Sequence, residues 1–145
     1  MTKKEILIEI IIFLFVLLFL YAAGIKLIQH KTFVAQIAQS PLLTKYEYPI
    51  SWIIPGVELL IAIMLVTPRI RVFGLYAAFG LMVIFTIYIV AILTISRDLP
   101  CSCGGILSSL GWRSHLVFNL GFVVMGFVAI MLLPKQDRGI TKNAW

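Results

Sequence analysis

The sequence predicts an all-α integral membrane protein: a single bundle of four membrane-spanning helices, with a short interfacial helix after the first. Three observations lead there. Hydrophobic residues make up 61% of the 145 positions and charged residues 12%, too few polar side chains to coat a soluble domain. The apolar residues gather into four runs, each near the length of about 20 residues that a helix needs to cross the hydrocarbon. Pro68, Pro100 and Pro134 stand at the ends of runs, where a residue without an amide hydrogen does least harm to a helix.

The first span is expected from about Ile6 to Ile28, interrupted only by Glu9 and Lys26, both near enough to an end to snorkel towards the headgroups. Lys3-Lys4 before an apolar stretch resembles a secretory leader. Tyr21-Ala22-Ala23 is a poor cleavage site, however, and the run is long enough to span, so it is read as helix one. The second, third and fourth spans are expected at about 50–66, 72–95 and 115–133, which leaves residues 1–145 as one domain. Between the first two spans, Phe33, Val34, Ile37 and Ala38 recur at helical spacing with Thr32, Gln36 and Gln39 between them. This pattern suits a short helix lying in the interface, ended by Ser40-Pro41.

A net charge of +6 raises the question of nucleic acid, but the twelve Lys and Arg are scattered between apolar runs and form no basic face with interleaved aromatics. They read as topology signals and lipid contacts, so the expected partner is membrane lipid, not nucleic acid. With four spans, the termini and the 68–71 turn share one side, carrying Lys3, Lys4, Arg69, Arg71, Lys135, Arg138 and Lys142. The other side carries Lys26, Lys31, Lys45, Arg97 and Arg113. The excess favours cytoplasmic termini in a bacterial inner membrane and puts the loop between spans three and four outside.

That loop holds the only two cysteines, in Leu99-Pro100-Cys101-Ser102-Cys103-Gly104-Gly105. A disulfide between residues i and i+2 closes a small strained ring, and strain suits exchange better than stapling. So short a loop also removes little entropy from the unfolded chain. Arg97, Arg113 and the Gly104-Gly105 amides are nearby groups able to stabilise a thiolate. Cys101 and Cys103 are therefore the candidate catalytic residues for thiol-disulfide exchange, with two alternatives: inert thiols, or soft ligands for Cu(I) or Zn completed by His115 or His30.

Four residues inside the apolar runs are candidates to support that chemistry. Glu58 lies at the centre of span two, about 12 Å from either expected end. Ser51, Pro55, Glu58 and Ala62 share one stripe of small or polar residues, so this face should look into the bundle. Glu58 either stays protonated or pairs with Lys26, and it is a candidate to pass protons, to bind the head of a quinone, or to link helices one and two. His115 and Asn119, with Gly126 and Ala129 on a similar face of span four, lie beneath the cysteine loop. His115 is read as a base, a donor to a quinone carbonyl or an interfacial residue, and Asn119 as an interhelical hydrogen-bonder. Thr86, Tyr88 and Thr94 are weaker candidates.

The residues Tyr21-Ala22-Ala23-Gly24-Ile25-Lys26 with Phe33 following, Pro55-Gly56-Val57-Glu58-Leu59, Cys101-Ser102-Cys103-Gly104-Gly105, and Trp112 with His115-Leu116-Val117-Phe118-Asn119 together resemble the MauE/DoxX-like redox-associated membrane proteins over nearly the whole chain. The resemblance implies a four-helix bundle similar to that of vitamin K epoxide reductase-like thiol oxidases. It also implies a role in making or maintaining disulfides in a periplasmic enzyme, alongside a thioredoxin-like partner. The chain departs from those oxidases in having no second cysteine pair to relay electrons towards quinone.

Overall fold

The computed structural model describes residues 2–40, 42–95 and 111–134. The described residues form helices, with no strand among them: α1 (Lys3–Ile28), α2 (His30–Ala38), a 3-10 turn (Thr44–Tyr46), α3 (Glu47–Val66), α4 (Arg71–Ile95) and α5 (Gly111–Leu132). Four of these helices are long and apolar enough to cross a membrane.

Each helix begins earlier than the apolar run that betrays it. α1 opens with a capping box, in which the Glu5 amide donates to the Thr2 hydroxyl (3.3 Å) and the Thr2 amide donates to the Glu5 carboxylate (2.8 Å). α3 starts at Glu47, three residues before the expected Ile50, because Pro49 falls in the first turn, where no helical partner awaits its missing amide hydrogen. α5 starts at Gly111, whose φ of 77° is a left-handed conformation that a glycine enters without steric cost. The polar first turn of α5 lies outside the hydrocarbon pattern, so hydropathy alone finds the helix only from His115.

At the other end of α1 the chain turns at Gln29 directly into α2. Phe33 and Ile37, one turn apart, are the buried residues of α2 and lay it against α3. Thr44 then donates its hydroxyl to the Ser40 carbonyl (2.5 Å), which tightens the return into α3.

The four long helices form a ring in which α1 packs on α3 and α5, and α4 packs on the same two, leaving α1 and α4 diagonal. The core runs along the axis through Ile11, Phe15, Phe19, Ala62, Leu65, Leu75, Ala78 and Ala129. Phe15 stacks on Phe19 at 5.9 Å and meets Phe122 edge-on at 5.2 Å. Outside, the apolar residues continue: Phe13, Ile53, Ile84, Val117 and Val124 are exposed. Helices apolar all round have no solvated face, as expected of helices whose solvent is lipid.

Two glycines set the spacing. A side chain at Gly74 would meet the Leu65 backbone nitrogen at 2.9 Å, so α4 approaches α3 as closely as the two backbones permit. Gly126 lies against Phe79 and Phe15, where an added Cβ would come within 3.1 and 3.3 Å of the rings. At the termini end, Arg71 donates to Glu9 at 2.5 Å. Glu9, expected to snorkel, instead ties α1 to the start of α4. Both side chains are over a third exposed, which limits the stabilisation to about 1 kcal/mol or less.

The close approach at Gly74 is testable. Gly74→Ala should destabilise the purified protein by about 1–3 kcal/mol through overpacking against backbone that has nowhere to move. Gly80 has nothing within 4 Å of an added Cβ. Gly80→Ala should therefore be neutral or stabilising by up to about 1 kcal/mol, since alanine is the better helix former. Thermal midpoints of the two variants in the same detergent separate the effects, and equal midpoints would contradict the packing described.

Candidate functional site

The helical stripe that buries Phe15, Phe19 and Ala22 reaches Lys26 four residues later, so the lysine is carried inward by the same face that makes the core. Lys26 is 4% exposed and Glu58 is 0% exposed. The Lys26 ammonium donates to Glu58 Oε1 at 2.5 Å. It also lies 5.8 Å from the Phe33 ring centroid and 5.5 Å from that of Phe85, each able to attract a cation through its π face. Of the outcomes open to the sequence, snorkelling of Lys26 is therefore replaced by an ion pair inside the bundle. The Glu58 carboxylate, held inside the bundle by its helix face, needs a counterion there, and Lys26 supplies it.

Glu58 stands on the expected stripe of α3, with Ser51, Pro55 and Ala62 all buried. Its inward position follows from that face alone. One turn above Pro55, Ser51 donates its hydroxyl to the Tyr48 carbonyl (2.5 Å), which leaves its oxygen to accept from His30 Nε2 (3.0 Å). His30 also lies against Trp52, with ring centroids 4.3 Å apart. It serves as a pin between α2 and α3, a role that the metal-ligand alternative for His30 did not foresee. A signal was present: His30 follows Lys26 by one turn, on the extension of its buried stripe.

α5 contributes His115 and Asn119, one turn apart and each 2% exposed. Together with Lys26 and Glu58 they line a partly open cavity of about 20 Å³. Its remaining walls are apolar: Leu18, Phe19 and Ala22 from α1, Met82 and Phe85 from α4, and Phe118 from α5. Four residues spread over three helices, 26, 58, 115 and 119, are thus brought to one space. Two buried polar atoms there have no hydrogen-bond partner among the described residues: Glu58 Oε2, an acceptor, and Asn119 Nδ2, a donor.

The weaker candidates on α4 have structural partners. Thr86 donates to the Met82 carbonyl (2.7 Å) and Thr94 to that of Ala91 (2.8 Å), both on their own helix. Tyr88 donates to the Ser40 hydroxyl (2.9 Å) and so fastens α4 to the segment after α2.

Cys101, Cys103, Arg97, Gly104 and Gly105 lie outside the described residues, as does the Trp112 side chain. Their connection leaves from the end of α4 and returns at the start of α5. In an up-and-down ring that is the end where α1 finishes and where Lys26 and His115 lie. Among the described residues, no group of three or more His, Cys, Asp or Glu could hold a metal ion. The cavity has room for about one oxygen-sized group.

A buried pair is costly to break and inexpensive to replace whole. Lys26→Met or Glu58→Leu alone should lower stability by about 3–5 kcal/mol, because each leaves one charge buried without its counterion. The double variant should lose much less than the sum of the two. Denaturant unfolding of all four forms in one detergent gives the coupling, and additive losses would show that the pair carries none.

Comparison with curated proteins and with solved structures finds no match. A family model described as methylamine utilisation protein MauE matches residues 4–133, which spans all four long helices and the cysteine segment. The chain is a multi-pass membrane protein and belongs to the MauE family.

Proposed function

We propose that this protein is an accessory of the bacterial inner membrane that exchanges thiols and disulfides through Cys101 and Cys103 on the outer face. It would serve a periplasmic thioredoxin-like partner or disulfide formation in an exported protein. The observation that carries the reading is the collection of Lys26, Glu58, His115 and Asn119 in the half of the bundle from which the cysteine segment leaves. Buried ionisable groups inside a membrane are a default mark of function. Family membership supports an accessory role in methylamine utilisation.

The exchange needs no group beyond the two thiols and a partner disulfide. The thiolate of one cysteine attacks a partner sulfur, a mixed disulfide forms, and one partner thiolate leaves. The second cysteine then attacks its neighbour, so that the Cys101–Cys103 bond closes and the partner departs as a dithiol, two electrons richer. Run in reverse, the same steps oxidise an exported protein. Either cysteine can attack first. Because the chain holds two cysteines and no more, each turnover must be reset by a second protein or by a lipid-soluble acceptor such as a quinone.

Burial of Lys26 strengthens the charge argument for orientation. It removes one of the five cations on the cysteine side from contact with headgroups and leaves four against the seven on the termini side. Cytoplasmic termini put Cys101 and Cys103 in a compartment where disulfides persist.

A second reading, a subunit for assembly or for Cu or Zn binding without turnover, is favoured by the lack of a second dithiol. Its ligands would be Cys101, Cys103 and His115. The two readings part in one experiment on intact cells with a membrane-impermeant thiol reagent. Exchange predicts labelling of Cys101 and Cys103 only after external reduction, and a mixed disulfide with a periplasmic protein that accumulates in Cys101→Ser or Cys103→Ser. Thiols labelled at all times, or reached only from the cytoplasm, would sink it. Stoichiometric metal binding lost in Cys101→Ser would establish the alternative.

A further inference from the structure

The cavity presents an unmatched pair of needs. Glu58 Oε2 requires a donor, since its partner oxygen already takes the Lys26 ammonium, and Asn119 Nδ2 requires an acceptor. Both residues are almost wholly buried, one on α3 and one on α5, diagonal helices that do not otherwise meet closely. Leaving both atoms unmet is costly in a low dielectric, and more so for the charged one. Both residues line one space of about 20 Å³, more than the roughly 10–15 Å³ that one oxygen-sized occupant needs.

One chemical group answers both needs at once. A hydroxyl donates through its hydrogen and accepts through its oxygen. A carbonyl oxygen would satisfy Asn119 and be repelled by the carboxylate; an ammonium would satisfy Glu58 and leave Asn119 unmet. We propose that the cavity is a binding site for one hydroxyl group, which donates to Glu58 Oε2, accepts from Asn119 Nδ2, and so joins α3 to α5 across the bundle axis.

Two sources supply that chemistry. One is a trapped water. The other is the ring hydroxyl of a membrane-soluble phenol or hydroquinone whose ring stays outside the cavity, against half-buried wall residues such as Leu18 and Phe118. By the same argument the site selects a hydroquinone over its quinone, which offers only carbonyl oxygens. The site does not depend on exchange at Cys101 and Cys103, and the Cys101→Ser/Cys103→Ser double variant should retain it.

The full chain in lipid nanodiscs provides the test. Asn119→Leu removes the donor at nearly constant volume. If Nδ2 holds a hydroxyl, the variant unfolds at a lower temperature by several degrees; if Nδ2 is idle, its removal leaves the midpoint unchanged or raises it, which overturns the proposal. Two measurements on the unmodified protein identify the source without relying on any variant. An infrared O–H stretch that shifts in H₂¹⁸O and reports a water isolated from bulk supports the water. Saturable one-to-one binding of a short-chain hydroquinone, with its dimethyl ether at least ~10-fold weaker because it cannot donate to Glu58, supports the ring hydroxyl. Absence of both signals overturns the proposal, as does equal binding of hydroquinone and dimethyl ether with no isolated water.

Discussion

The ion pair of Lys26 and Glu58 is the constraint around which the rest of the bundle is arranged. Neither charge tolerates the hydrocarbon alone, so the inner face of α1 must turn towards α3 and the two helices must stay in register along their axes. The aromatic side chains follow from this. Phe33 on α2 and Phe85 on α4 bring their faces to the ammonium from two further elements. Side chains from four helices thus meet at one positive charge.

Such a pair contributes little to net stability compared with an apolar pair of the same shape. Its effect here is on which arrangement is allowed. Lipid tails are as apolar as leucine, so apolar burial barely distinguishes one rotation of a membrane helix from another. A charge that can be met in only one place does distinguish them. Where polar groups are absent, close contact performs the same selection. Gly74 lets the α4 backbone reach that of α3, and Gly126 admits the rings of Phe79 and Phe15. The polar anchors occupy the half of the bundle where α4 ends and α5 begins, whereas the glycine contacts and the phenylalanine core lie further towards the termini.

α2 takes part in the site although no residue of it lines the cavity. His30, pinned to Ser51 and packed on Trp52, and Phe33, beneath Lys26, fix the turn between α1 and α2. The last turn of α1, where Lys26 must reach inward, is thereby held. A helix that reads in sequence as an interfacial amphipath acts in the fold as a brace for the buried charge.

The sequence by itself determined the four spans, their approximate ends and the inward face of α3, because hydropathy over about 20 residues and the 3.6-residue repeat are local properties. Membership of the MauE family was also legible there, in short motifs spread along the chain. The sequence left open whether Lys26 snorkels or pairs, since either answer satisfies the local pattern. Only the tertiary structure decided it, together with the meeting of Glu58 with His115 and Asn119 from a helix more than fifty positions away. The physical reason is that pairing across the bundle depends on the rotation and depth of whole helices. Those are set jointly by the glycine contacts, the phenylalanine core and the bracing of α2, and no single stretch of the chain encodes them.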